Sequence, residues 1–261
     1  MKIIRFIDKN GNKKTGILSG DMIELAKGTV PGKITGTGKY INESGIDQYL
    51  PPVDPPNIIA LGLNYAAHVK EFDRDNTPDT PVVFMKATSS LNYHGGNIVR
   101  PGIAPAQIDF EAELGIVIGK TAFNIEADEA EEYIFGYTCV NDVTARDCQK
   151  HDIQWVRAKS FDSFCPVGPY IETEINPVGL EIKSTLNGYV MQESNTADMI
   201  YNPFEIVSFI SKCMTLAPGT LILTGTPPGV GFARDPKVFM QPGDCIKIEI
   251  AGLGTLENII V

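Results

Sequence analysis

The 261-residue chain carries 22 Lys and Arg against 32 Asp and Glu, a formal charge of −10, with 43% hydrophobic and 21% charged residues. This is the composition of a globular protein long enough to bury a sizeable core, as one large domain or one domain with a small extra module. The acidic balance and the lack of a basic stretch argue against a nucleic-acid partner, and no apolar run reaches the roughly 18 residues of a membrane span.

In chain order, residues 1–50 read as a small β module. Lys2 to Ile7 alternates, Asn10-Gly11-Asn12 signals a turn, and Lys14 to Leu18 follows as a second strand. A turn at Ser19-Gly20-Asp21 then leads into Met22 to Leu25. Lys2, Arg5 and Asp8 interrupt the first apolar run, so it is no signal peptide. Residues 51–56, Pro51-Pro52-Val53-Asp54-Pro55-Pro56, cannot continue a helix or a central strand and read as a stiff linker and domain boundary.

Residues 57–261 are dominated by short strands rich in Val, Ile, Leu and Thr. These are Asn57 to Gly62, Val82 to Lys86, Glu113 to Ile118, Leu180 to Leu186, Thr220 to Thr224 and Cys245 to Ile250. Helical pattern is sparser: Tyr65 to Phe72 with Asn64 as its N-cap, Ala127 to Glu132, and Asn202 to Lys212. The strands do not alternate regularly with helices, so the fold class expected is mainly β (α+β), not a doubly wound sheet. The five cysteines include no C-x-x-C pair and read as reduced thiols of a cytoplasmic protein.

Four segments carry candidate chemistry. In Asp109-Phe110-Glu111-Ala112-Glu113, strand periodicity turns Glu111 and Glu113 to one side, and Asn141-Asp142 follows downstream. Carboxylates that share a pocket repel unless a cation or proton lies between them. Oxygen ligands suit Mg²⁺, Mn²⁺ or Ca²⁺ better than Zn²⁺, although a solvated acidic strand edge gives the same pattern. His68 and Glu71 stand at i, i+3 in N-Y-A-A-H-V-K-E, which suits either an acid–base pair or a surface ion pair. Arg146, Gln149 and Lys159 together could hold a carboxylate and a keto oxygen, or could be solvated surface charges. The run T-G-T-P-P-G-V-G lacks the ending of a phosphate-binding loop and its prolines exclude a dinucleotide fingerprint. It could be a structural turn, or it could bring Gly225 and Thr226 to a ligand.

Taken in order, these segments resemble the fumarylacetoacetate hydrolase family. The likeness runs from about Asn57 to Val261 through N-Y-x-x-H-x-x-E, D-x-E-x-E-L, N-D-x-T-x-R-D-x-Q and A-K-S-F-D. It continues through N-G-x-x-x-Q-x-x-x-T-x-x-M-I (Asn187 to Ile200) and T-G-T-P-x-G-V-G. The resemblance implies a mixed β-sandwich roll preceded by the short β domain, and usually a homodimer. It implies Glu111, Glu113 and Asp142 as ligands of Mg²⁺ or Mn²⁺, with Ca²⁺ able to substitute. It makes His68 and Glu71 the acid–base dyad on a lid segment, which the loop Phe72 to Pro81, polar in sequence, follows, and it places Lys159 at the active-site lysine. Arg146, Gln149, Gly225 and Thr226 fall at substrate-binding positions.

The activity so implied is hydrolytic C–C cleavage of a small 2,4-dioxo acid of the acylpyruvate type. His68 would activate water and pyruvate would leave as an enolate stabilised by the cation. Oxaloacetate decarboxylation and isomerisation of a 2-hydroxyhepta-2,4-diene-1,7-dioate use the same enolate and are the alternatives. A fourth reading, an inert 2-oxo acid binding protein, would be expected to lack His68, Glu71 or Lys159, and all three are present.

Overall fold

The computed structural model describes residues 1–71 and 76–261. The first five strands are β1 (Lys2–Asp8), β2 (Lys13–Ser19), β3 (Met22–Lys27), β4 (Thr35–Asn42) and β5 (Ile46–Tyr49). The next group is β6 (Ile58–Gly62), β7 (Val82–Lys86), β8 (Leu91–Tyr93), β9 (Asn97–Ile98), β10 (Ile108–Asp109) and β11 (Ala112–Ile118). The rest are β12 (Ile134–Asn141), β13 (Thr144–Ala145), β14 (Cys165–Glu172), β15 (Glu181–Leu186), β16 (Tyr189–Asn195), β17 (Leu221–Leu223), β18 (Cys245–Ile250) and β19 (Gly254–Ile260). The helices are short: α1 (Ala66–Lys70), α2 (Arg146–Gln149), α3 (Val156–Lys159) and α4 (Pro203–Cys213).

The large sheet runs β4-β3-β2-β1-β14-β12-β11-β17-β6-β7, with β5 paired to β1 and β8 to β14. A second sheet, β16-β15-β18-β19-β9, packs across its centre. The chain is therefore a mostly β sandwich, as the strand-rich pattern leads one to expect. Antiparallel pairing of β1 with β14 (Lys2 opposite Glu172, Ile3 opposite Ile171) places the amino-terminal strands in the same sheet as the rest. Residues 51–56 form no repeating structure, but Val53 among them is fully buried.

Strand periodicity explains where the site lies. Along β11, Ala112, Leu114, Ile116 and Ile118 face the sandwich core. Val117 faces a second apolar cluster with Ile58, Ala60, Leu221 and Leu223. Glu113, two and four residues from Gly115 and Val117, therefore projects onto this second face. In the β6–β7 pair Ile58 stands opposite Lys86 and Ala60 opposite Phe84, so Phe84 and Lys86 share that face. Acidic and basic groups thus meet on one side of a sheet that is otherwise apolar.

Two helix expectations are corrected. Asn64 does not cap α1, whose N-cap is Tyr65 with no side-chain cap bond. Its amide instead donates to the carbonyls of Thr224 (2.7 Å) and Tyr201 (3.0 Å), and its Oδ1 accepts the Tyr201 N–H (2.9 Å). Tertiary partners have claimed the side chain that local sequence would assign to the cap. The segment Ala127 to Glu132 forms turns leading into a 3₁₀ turn, Ala130–Tyr133, rather than an α-helix. In contrast, α4 begins as expected: Asn202 accepts from the Phe204 and Glu205 N–H groups, Glu205 closes the capping box, and Pro203 occupies the first turn. Phe72, the last residue of the expected first helix, lies outside the described residues. Among those described, no helix is long and apolar enough to cross a membrane.

Candidate active site

Glu111 immediately precedes β11, Glu113 lies within it, and Asp142 follows β12, its neighbour in the sheet. The Asp142 N–H donates to the Glu111 carbonyl at 2.9 Å, which fixes the two backbones side by side. One carboxylate oxygen from each of Glu111, Glu113 and Asp142 lies within 4.8 Å of the others. All three residues are buried, at 5%, 1% and 0% exposure.

Buried carboxylates require compensation, and three cations supply it. Lys159 reaches Glu111 Oε2 and Asp142 Oδ2, both at 2.6 Å. Lys86 meets Asp142 Oδ1 at 2.5 Å. Arg146 donates through Nε to Asp109 (2.8 Å), through Nη2 to Glu111 (2.7 Å) and through Nη1 to Gln149 (2.8 Å). Burial pushes Glu111 up, but Lys159 and Arg146 outweigh it and bring its pKa down to about 2. Glu113 is driven well above the usual carboxylate range, first by burial and then by the charges of Asp142 and Glu111. Burial alone would lower Lys159, yet Asp142 and Glu111 hold its ammonium protonated above the ordinary lysine value. Glu113 is thus the carboxylate left with too little positive charge around it. A hard divalent cation would relieve that imbalance, and the oxygen-only donor set fits one.

His68 lines the same cavity as Glu111 and Glu113, and Glu71 stands behind it. His68 Nδ1 lies 2.8 Å from Glu71 Oε2, and the other Glu71 oxygen accepts the Gly229 N–H at 2.7 Å. Glu71 is therefore tied both to the ring it orients and to the loop after β17. The polar loop after Glu71, Phe72 to Pro81, falls in part on residues 72–75, outside the described residues. Beyond them the Tyr201 hydroxyl donates to the Pro78 carbonyl at 2.9 Å.

A cavity of about 170 Å³ brings most of the expected residues together: His68, Glu111, Glu113, Arg146, Gln149, Lys159 and Thr226 line it. Gly225 serves the site differently. Its N–H donates to Glu113 Oε2 at 2.6 Å, and its φ of +95° leaves a Cβ only 2.7 Å from that of Asn64. Only glycine fits that turn. The Thr226 hydroxyl donates to the Ala112 carbonyl (2.9 Å) and accepts from Gln192 (2.7 Å).

Four residues were assigned no role from sequence. Lys86 is in phase with Phe84, two residues earlier on β7, so strand periodicity could have flagged it. Asp109 accepts from Arg146 and from the N–H groups of Gly231 (2.8 Å) and Phe232 (2.9 Å). Gln192, whose Oε1 accepts the Ala112 N–H at 3.0 Å, ties the second sheet to the loop carrying Thr226. Trp155, four residues before Lys159, is one helical turn from it and also lines the cavity.

The chain that builds this cavity has relatives among known proteins. Residues 57–261 match the family described as fumarylacetoacetate (FAA) hydrolase, C-terminal. The mitochondrial oxaloacetate tautomerase of Xenopus laevis is 37% identical over 246 residues, 92% of this chain and 76% of that one. The structure of 5-carboxymethyl-2-hydroxymuconate delta-isomerase from Mycobacterium smegmatis is similar at a TM-score of 0.90 and 36% identity, covering 100% of this chain and 99% of the other. Fumarylacetoacetate hydrolase from Exiguobacterium antarcticum is similar at 0.89 and 34% identity, with coverage of 100% and 99%. The chain belongs to the fumarylacetoacetate hydrolase family.

Proposed function

We propose that the chain is a divalent-metal-dependent enzyme that moves a proton across the C2–C3 unit of a small 2-oxo acid such as oxaloacetate. One observation carries this reading: His68, backed by Glu71, opens on the same cavity as Glu111 and Glu113, and Asp142 lies within reach of both behind it. The names of the frog and mycobacterial relatives, a tautomerase and an isomerase, describe proton relocation and support it. Glu111, Glu113 and Asp142 would hold Mg²⁺ or Mn²⁺, which supplies Lewis-acid polarisation of a carbonyl.

The remaining roles follow from this chain's side chains. His68 moves a proton between C3 and the C2 oxygen, taking it from C3 in enolisation and returning it there in ketonisation, while Glu71 orients the ring and balances its charge when protonated. The Gly229 N–H keeps Glu71 in place. Lys159 and Arg146 give the cavity a positive wall for the substrate carboxylate, with Gln149 and Thr226 as polar contacts. Phe84 and Trp155 exclude water. The working form proposed is a homodimer in the cytoplasm.

Hydrolysis of a small acylpyruvate is the second reading. It is favoured by the apolar part of the lining, Leu61, Leu63, Phe84 and Trp155, which suits an uncharged acyl end. One experiment separates the two. Purified protein with Mg²⁺ or Mn²⁺, and a chelator-treated control, is offered enol-oxaloacetate and acetylpyruvate. Metal-dependent ketonisation of oxaloacetate is expected, with His68→Ala slowing it about 10²- to 10⁴-fold. Cleavage of acetylpyruvate without effect on oxaloacetate would transfer the conclusion to the hydrolase. An undiminished His68→Ala rate would remove the dyad from the mechanism.

A further inference from the structure

We propose that Trp155 fixes the length of acid the cavity accepts, forming the wall against which the end of the substrate remote from the carboxylate cluster stops. The inference rests on the 2-oxo acid reading of the site.

The lining divides by chemistry. Glu111, Glu113, Arg146 and Lys159 are charged, whereas Leu61, Leu63, Phe84 and Trp155 present carbon. Helix α3 sets the separation between the two. Lys159, at its carboxyl end, reaches Glu111 and Asp142, and its N–H donates to the Trp155 carbonyl at 3.0 Å. The two side chains therefore leave the same helix face about 6 Å apart along its axis. A molecule anchored at the charged end and extending by about one helical turn meets the indole.

The indole is held on two sides. Its six-membered ring lies directly on Gly62 of β6, where an added Cβ would stand 2.5 Å from Cζ3 and 2.9 Å from Cη2. Real Cβ atoms do not approach so closely, so the missing side chain at Gly62 is what admits the ring. On another side Phe84, from the adjacent strand β7, packs edge to face with a centroid separation of 5.3 Å and an interplanar angle of 75°. With two side-chain torsions and these neighbours, Trp155 is a stiff boundary.

The volume makes such a boundary consequential. At about 170 Å³ the cavity is close to the size that admits one benzene-sized guest. A short 2-oxo acid takes up much of it, so a chain that grows away from the charged end runs into the wall that Trp155 forms. A single methylene in a filled apolar pocket changes discrimination by roughly 10- to 200-fold.

The test measures binding alone, so it does not depend on which reaction is catalysed. Pyruvate, 2-oxobutanoate, 2-oxopentanoate and 2-oxohexanoate are titrated calorimetrically into the full-length protein with saturating Mn²⁺. For the native protein, affinity for 2-oxohexanoate is expected at least tenfold below that of the best-fitting shorter acid. Trp155→Phe, which keeps the aromatic contact with Phe84, is expected to lessen that ratio, and Trp155→Ala to abolish it, with pyruvate affinity little changed. A native-like ratio in both variants, or native affinity independent of length, overturns the assignment of Trp155 and leaves the functional reading standing. Failure of the native protein to bind any of the four acids removes the functional reading, and the proposal falls with it.

Discussion

Lys86 and Asp142 show how closely charge is balanced in the site. Lys86 is 2% exposed, ends an apolar strand, and donates to Asp142 Oδ1 at 2.5 Å and to the Val143 carbonyl at 3.3 Å. Removing one partner of a buried ion pair leaves the other uncompensated, a loss of about 3–5 kcal/mol. Lys86→Met is therefore expected to lower the unfolding free energy of metal-free protein by about 3 kcal/mol, and by less when saturating Mg²⁺ supplies positive charge beside Asp142. Urea denaturation with and without the cation measures both. An equal loss in the two conditions would mean that Lys86 and the cation do not share the Asp142 charge. The two glutamates were legible from their spacing because strand periodicity is local. Lys86, Asp109 and Gln192 were not, because the partners that bring them to the site (Asp142, Arg146 and Ala112) lie 30 or more residues away and only the sheet order brings them close.

At the scale of the element, local signals were legible wherever local forces decide the structure. Strand β7 and strand β18 fall at the expected limits, since β7 is a short apolar run after Pro81 and β18 alternates apolar with charged residues between Gly243-Asp244 and Gly252. Strand β14 was missed: Pro166, Gly168 and Pro169 look like breakers, yet the strand is accommodated because β12 and β1 or β8 pair with different portions of it. The same contrast separates the two asparagines. Asn202 caps α4 with bonds to Phe204 (2.9 Å) and Glu205 (3.1 Å), whereas Asn64 is recruited by distant carbonyls. Asn202→Ala is expected to destabilise the protein by about 1 kcal/mol through two lost capping bonds. It should leave activity unchanged, because α4 contributes no residue to the cavity. Thermal unfolding reads the first and the oxaloacetate assay the second; an unchanged stability would mean that the cap is not used.

For the whole molecule, the amino-terminal strands continue the large sheet through β1 and β14, and their own small core of Ile4, Phe6, Ile23 and Ile46 closes on Tyr170 of β14. The sequence linker at 51–56 marks a change of composition, and the hydrogen-bonded sheet runs past it. Phe6 is fully buried, so Phe6→Ala is expected to cost about 3–5 kcal/mol. Because the strands share one sheet, the loss should shift the transition seen through Trp155, the only tryptophan and one that lies by the distant cavity. A separate early transition that leaves Trp155 fluorescence unaffected would show that the first strands unfold independently.

The central claim is that the carboxylate cluster and the His68–Glu71 dyad form one enolising site. Tautomerisation, decarboxylation and hydrolysis differ in outcome, but in the proposed reading this site's contribution to each would be acid–base chemistry next to a 2-oxo group. The most direct test follows exchange of the C3 protons of pyruvate for deuterium by proton NMR in D₂O. Exchange is expected to accelerate with the protein and Mg²⁺ or Mn²⁺, to stop with chelator, and to fall at least about 100-fold in His68→Ala and Glu113→Gln. Exchange that persists undiminished in either variant, or that needs no metal, would contradict it.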